Sequence, residues 1–479
     1  MRDIIDHGPR TSAHDTAAGK ARRPLRRIAR CVALAALLTS CNWGDLLDVT
    51  TDMVTPTQAA NPSGALAMRA AALRQFAVFT AGGPQVRAWL MDALFTDQLI
   101  NARQDFNAID LRSWPEENNP HGVNVWDDYS SVRYAVETAI DAMHQYLPDD
   151  DATGSLVGEL YAIRGLSTSI IAEMYCNGLT LSSFDANGGA VYDMNVYTNA
   201  DLFEQAVADF DSALTSLPAN DPLRFLARIG KARALVDLDR HAEAAAVVQA
   251  GGDGTGSPEV PTDFVYNVEY STASVYNVIP DYVLNANFGL PLNETLTGPG
   301  KETANGLDYG ADPRVRAQPF LRNGQDGSTP IYPPGVPWSR DFSSPFPVAS
   351  GVEARLVEAE AQLKASDPSW LGTLNDLRSR GIDISGLALD APLSSLADPG
   401  TPDGRVDLVF QERAMWLYLT IHRWGDMRRL IRQYGRDAGD VFPSGSYFKG
   451  GTYGTQIVAY PLAAERNHPA FHGCLNEDA

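Results

Sequence analysis

The stretch ADLFEQAVADFDSALTSLPANDPLRFLARIGKARALVDLDRHAEAAAVVQ, residues 200–249, decides the fold. Its apolar residues return at helical spacing, with polar residues between them. Ala206, Phe210 and Ala213 mark one helix, closed by Pro218. Leu226, Ile229 and Gly230 mark the next, and Ala242 opens a third. Small residues at such positions have a physical purpose, because two helices approach closely only where the contacting side chains are short. The spacing predicts helical hairpins.

The same spacing resembles degenerate tetratricopeptide repeats. Arg233 and Ala246 stand where aromatics are commoner, and a pair of ordinary amphipathic helices is the simpler alternative. Helical periodicity also covers residues 65–79, 85–99, 125–147 and 155–175, then 351–365 and 371–379. One long helix is expected over 406–434, with Phe410, Leu417, Ile421, Trp424, Ile431 and Tyr434 on its buried side. Residues 261–350 lose this periodicity and are rich in Tyr, Asn, Gly and Pro, which predicts a loop-rich region with short strands at most. The Gly-rich run 251–256 follows a helix and lacks a P-loop lysine, so it is no phosphate cradle. The chain reads as mainly α. Its expected segments are a leader (1–40), an anchor and tether (41–62), an N-terminal helical region (63–260), the loop-rich region (261–350) and a C-terminal helical region with its tail (351–479).

The leader carries Arg22, Arg23, Arg26, Arg27 and Arg30, then an apolar run from Cys31 to Leu38. That run is too short to span a bilayer, which takes about 20 residues, and it fits an export signal. Leu38-Thr39-Ser40-Cys41 resembles a bacterial lipobox, which implies cleavage after Ser40 and a lipid anchor on Cys41. A signal peptide with an incidental cysteine is the alternative.

The whole chain has a formal charge of −21; removing the leader's eight Lys/Arg and three Asp/Glu leaves 30 basic against 56 acidic residues. So acidic a surface repels phosphate backbones and argues against nucleic acid as a partner. Of the four cysteines, Cys31 leaves with the leader and Cys41 takes the lipid. Cys176 and Cys474 remain, and an oxidising compartment permits their pairing; two free thiols are the alternative. No cysteine or histidine spacing indicates a structural metal site, and no cofactor is expected.

The pieces together resemble the SusD/RagB family of outer-membrane nutrient-uptake lipoproteins. After Cys41 comes Asp45-Leu46-Leu47-Asp48-Val49, and Ile163-Arg164-Gly165 through Gly178 is similar to the family's early "RA…Y…G" helix. Asp209 to Leu214 resembles its "DL..AL" element, and Asp312-Pro313-Arg314 its "DPR" turn. Glu353 to Ala361 resembles its "RLAEAYL" helix, and Glu412-Arg413 with His422 to Arg429 its "ER" and "R..DL.R" signatures. Tyr460-Pro461-Leu462 with Asn467-His468-Pro469 closes the chain in the same style. Trp416-Leu417-Tyr418 departs from the acidic texture usual there. The resemblance implies a SusD-like helical bundle with a loop-rich second part. It also implies a surface-exposed outer-membrane lipoprotein that caps a TonB-dependent transporter of the SusC type and captures nutrients, oligosaccharides first and peptides second, without bond chemistry.

Glu412 to Arg429 offers Glu, His, Arg and Asp, yet its periodicity argues for structure. Arg423 and Asp426, and Asp426 and Arg429, are three apart and predict ion pairs on one helix. Glu412 lies eleven residues from Arg423, about 16 Å along a helix, so the two make no acid/base pair. The sequence carries no HExxH, GxSxG or Walker A pattern, and no catalytic residue is nominated. For binding, loop aromatics are the candidates, since sugar C–H faces stack on rings while hydroxyls take polar partners. Trp114, Trp126 and Tyr129 flank an Asn/Asp-rich segment; Tyr332, Trp338 and Arg340 lie in a Pro-rich one; Tyr276 and Tyr282 lie near Asn277 and Asn285. Each ring would serve equally well as core packing. A lipid-anchored glycan hydrolase and a repeat scaffold without a small ligand are the alternative functions.

Overall fold

The structure is a computed structural model; it describes residues 60–113, 120–184, 190–285, 287–290, 307–317, 322–336, 338–389, 392–461 and 468–479. The leader, Cys41, most of the tether and Trp114 lie outside the described residues.

Helices begin where the sequence supplies caps. Asn61 accepts from the Gly64 amide at 3.0 Å and Pro62 holds the first turn of α1 (Pro62–Ala81). After α2 (Ala88–Phe95) and the single turn α3 (Asn107–Asp110) comes α4 (Pro120–Tyr146). Asp150 caps α5 (Asp151–Met174), and Thr198 with Asp201 forms a capping box on α6 (Asn199–Ser216). α7 (Leu223–Asp237), α8 (His241–Val248) and the short α9 (Ile279–Leu284) follow. Ser350 caps α10 (Gly351–Lys364); α11 is Trp370–Ser379. Thr401 caps α12 (Pro402–Trp416), α13 is Arg423–Tyr434, ended by Gly435 at φ 66°, and α14 is Ala438–Val441.

The helices stack in sequence. α1 packs on α4, α4 on α5, α5 on α6, α6 on α7, α7 on α8, α8 on α10 and α10 on α11. The hairpins expected over 200–249 are present as α6, α7 and α8. The small residues act as anticipated: Phe210 lies between Gly165 of α5 and Gly230 of α7. A Cβ on Gly165 would approach its ring to 2.9 Å, and one on Gly230 to 2.3 Å.

Strands occur in pairs: β1 (Ile100–Asn101) with β5 (Phe288–Gly289), β2 (Leu179–Phe184) with β3 (Ala190–Tyr197), β4 (Val265–Val268) with β8 (Phe346–Ser350), and β6 (Arg322–Asn323) with β7 (Pro330–Ile331), all antiparallel. Residues 261–350 are loop-rich with short strands, as expected, apart from α9 and one 3-10 turn at Tyr309–Ala311. One hydrophobic core takes in Phe76, Trp89, Phe210, Trp338, Leu356 and Trp424, from helical and loop-rich regions alike. Among the described residues no helix is long and apolar enough to cross a membrane.

Two expectations are corrected. The single helix over 406–434 is two, α12 and α13, joined by a turn in which Leu419 and Ile421 adopt φ of 60° and 62°. The helix expected over 85–99 is confined to α2.

Cys176 and Cys474 form a disulfide, with Cα atoms 5.9 Å apart across a sequence separation of 298. The neighbouring tail pairs with the chain beyond α5. Leu475 N–H donates to Asn177 O at 2.8 Å, and the Asn177 side-chain amide donates to Asn476 Oδ1 at 2.7 Å. Arg428, buried in α13, donates to the carbonyls of Ala172, Glu173 and Tyr175 at the end of α5 and to Asp478 O. These bonds satisfy carbonyls that a helix C-terminus leaves open.

Candidate functional site

Backbone ladders tie described parts of the loop-rich region together. β1 pairs with β5, and Leu290 N–H then donates to Tyr332 O at 2.9 Å, which extends the ladder toward the Pro-rich segment. Gly289 permits the approach, since a Cβ there would lie 2.4 Å from Ile331 Cβ. Lys449 ties the edge by donating to Arg103 O at 2.6 Å and pairing with Asp326 at 3.0 Å. Asn277 is buried and structural: its backbone N–H donates to Phe342 O and its side chain to Ser344 O, both at 2.9 Å.

That anchoring presents aromatic rings. Tyr276 and Phe342 meet edge to face with centroids 5.6 Å apart, and Phe342 is 41 % exposed. Arg340 is exposed, and its backbone N–H donates to Ser344 Oγ at 3.0 Å. On the same ladder, Arg103 holds Asp105 through two bonds of 2.6 and 2.8 Å, with its guanidinium 5.0 Å from the Phe106 ring centre. The exposed Phe342 ring, two residues from the exposed Arg340, suits a polyhydroxylated ligand with apolar faces.

The nominated residues divide. Trp126 and Tyr129 are almost wholly buried; Trp126 packs on Tyr129 and Tyr175, and the Tyr129 hydroxyl shares a 3.3 Å hydrogen bond with Thr168. Tyr282 is buried and donates to Pro84 O at 2.7 Å. Trp338 meets Phe346 edge-on and, with Arg314, Trp416 and Tyr418, lines a crevice of about 10 Å³, which is room for one water molecule. Tyr332 is half-buried in the ladder. Tyr332 and Arg340 therefore share a loop segment with Phe342, which sequence reasoning passed over. Its signal was an aromatic two residues beyond Arg340 in a Pro/Ser-rich run.

The Glu412–Arg429 segment is the centre of a buried ionic web. Glu412 accepts from Arg314 at 2.8 and 3.1 Å and from Arg378 at 2.6 Å. Arg413 donates to Asp426, the shortest bond being 2.8 Å; Asp426 accepts from Arg429 at 2.7 Å, and Arg429 donates to Glu360 at 2.6 Å. Burial pushes the Asp426 carboxyl up, but Arg413 and Arg429 overcome it and hold the group well below the usual carboxylate range. The Asp426–Arg429 pair matches the spacing. Arg423 does not join Asp426; it reaches Asp97 at 2.7 and 2.8 Å. Arg164 likewise holds Asp209 at 2.6 Å. The scattered sequence signatures are thus one another's ion partners: "RA" with "DL", "DPR" with "ER", and both "ER" and the acidic helix with "R..D..R". These groups face each other rather than solvent, and they serve as internal struts.

No protein-family model matches the sequence, and neither does any curated protein. Solved structures do match. A SusD superfamily protein from Parabacteroides distasonis is similar at a TM-score of 0.59 and 15 % identity, over 85 % of this chain and 98 % of that one. A SusD-like carbohydrate binding protein from Bacteroides fragilis matches at 0.58 and 14 %, over 86 % and 99 %. B. fragilis NanU matches at 0.58 and 11 %, over 90 % and 99 %. At such identities the likeness concerns the backbone, and the backbone is unambiguous: this chain has the fold of the SusD superfamily.

Proposed function

We propose that the chain is a cell-surface glycan-binding lipoprotein, moored through Cys41 at the outer membrane and working with a SusC-like TonB-dependent transporter. The observation that carries the reading is the contacting ring pair Tyr276 and Phe342, the latter exposed, with the exposed Arg340 two residues before Phe342. Similar folds described as SusD-like carbohydrate binding proteins support an oligosaccharide ligand. In this reading the protein binds and releases without making or breaking bonds. The acids and bases of the Glu412–Arg429 segment are committed to internal pairs, which supports that part.

The test is a glycan and peptide binding screen on residues 42–479, wild type against Phe342→Ala and Tyr332→Ala. Saturable binding to an oligosaccharide that both variants weaken is expected. Binding left intact by both, or turnover of the glycan, sinks the proposal. Co-purification of a large barrel protein with the full-length lipoprotein in mild detergent tests the transporter, and repeated failure counts against it.

A further inference from the structure

Large apolar side chains open to solvent gather where the β2–β3 hairpin meets the C-terminal tail. Val191, Tyr192, Met194, Val196 and Leu475 are between 40 % and 63 % exposed. Leu475 lies beside the base of the hairpin: it packs on Gly178, whose N–H donates to Tyr197 O at the end of β3 at 3.0 Å. The disulfide at Cys474 and the Asn177–Asn476 bonds hold this tail in place. Exposed apolar side chains concentrated on one hairpin and the adjoining tail of so acidic a molecule mark an interaction site.

The hairpin is shaped to present it. Thr180 pairs with Val196 but Ser182 pairs with Tyr192, so Leu181 faces a bulge, Asp193-Met194-Asn195. Asp193 fixes the bulge by accepting from the Asn195 backbone at 3.0 Å, from its side chain at 2.8 Å, and from the Tyr197 hydroxyl. Met194 is thereby thrust outward, 61 % exposed. A bulge discourages addition of another strand at the edge, so the contact is made by side chains, and an adaptable Met beside a Tyr suits a partner's pocket. The rim is acidic: Asp193 lies within the patch, and Glu477 and Asp478 follow Leu475. Arg133, the basic group that acts on Asp193, also pairs with Glu137 at 3.6 Å. Like charge disfavours a second copy of this chain and an anionic bilayer alike.

We infer that the hairpin-and-tail patch docks a partner protein whose surface offers an apolar pocket ringed by Lys or Arg. The test is a photo-crosslinking residue at position 194 of the full-length chain in its own cells, with position 204, the exposed Glu204 of α6, as control. The adduct is identified by mass, and its purified protein is titrated against wild type and the double variant Tyr192→Ser, Met194→Ser. Expected are one heterologous adduct at 194 and not at 204, binding weakened at least tenfold in the variant, and a further loss with Glu477→Lys. The variant's oligosaccharide binding should be unchanged, which separates this patch from the Tyr276–Phe342 pair and shows that the variant is folded, although Tyr192 also packs edge-on against His468. An adduct between two copies, capture by phosphatidylglycerol vesicles alone, no protein adduct, or equal binding by the variant overturns the inference.

Discussion

The guanidinium of Arg423 donates two parallel hydrogen bonds to the carboxylate of Asp97, at 2.8 and 2.7 Å, across 326 residues of chain. Asp97 also accepts from the Tyr309 hydroxyl at 2.9 Å. An N-terminal loop, the loop-rich region and the start of α13 thus meet on one buried carboxylate. Removing one charge strands the other, at a typical cost of about 3–5 kcal/mol. Asp97→Asn should destabilise by that amount in urea denaturation. The double variant Asp97→Leu, Arg423→Met should cost less than the single one, because it leaves no unpaired charge.

Asp92 lies one turn earlier, and its Oδ1 accepts from the Trp424 backbone N–H at 2.9 Å. Burial pushes its carboxyl up to about 7, against the pull of that hydrogen bond. The sign is opposite to that of an ordinary paired Asp. Between the unfolded value near 4 and about 7 the folded state holds the proton and the unfolded chain does not, so stability falls as pH rises through that window. Asp92→Asn keeps an acceptor and cannot ionise. Relative to wild type it should gain about 2–3 kcal/mol between pH 5 and pH 8, measured by denaturant melts at both pH values.

The Cys176–Cys474 bond closes a loop with a sequence separation of 298. Loss of a native disulfide typically costs about 2–5 kcal/mol. Cys474→Ser should lower the melting temperature. It should also expose the peptide bonds after Cys474 to limited proteolysis, while Arg428 keeps its bonds to the end of α5.

Phe342 is the more open ring of the Tyr276–Phe342 pair, and stacking on it should supply a modest share of glycan affinity. Phe342→Ala should weaken oligosaccharide binding by roughly tenfold, about 1.4 kcal/mol, with no change in melting temperature. Trp126→Phe, in the core, should do the reverse and lower stability, by calorimetry, while leaving affinity alone.

What the sequence could convey followed the range of each interaction. Capped amphipathic helices such as α10 and the α6–α7 hairpin are written locally, in Ser350 with Gly351–Lys364 and in Phe210 with Gly230. The break between α12 and α13 was not legible. Residues 417–422 read Leu-Tyr-Leu-Thr-Ile-His, with no Gly or Pro to warn of two left-handed residues. The turn exists because Leu419 and Ile421 are buried and Arg233 donates to Ile421 O, which are tertiary effects. The β2–β3 hairpin has a local signal in the sequence, Asn187-Gly188-Gly189, a composition that favours turns, between two β-prone runs. The ion partners of Arg423 and Glu412 lay 326 and 98 residues away, beyond any periodicity. Ring exposure separates Phe342 from Trp126, and composition carries no record of it.

The Phe210 ring, wedged between Gly165 and Gly230, couples three positions on three helices. Neither glycine has a tolerated neighbour in residue space while the ring is there, and a smaller ring position leaves a void that only larger neighbours refill. Across related sequences these three sites should therefore drift as a trio, trading bulk among themselves. A lone alanine at 165 or 230 beside an intact phenylalanine should be the combination that natural variation avoids.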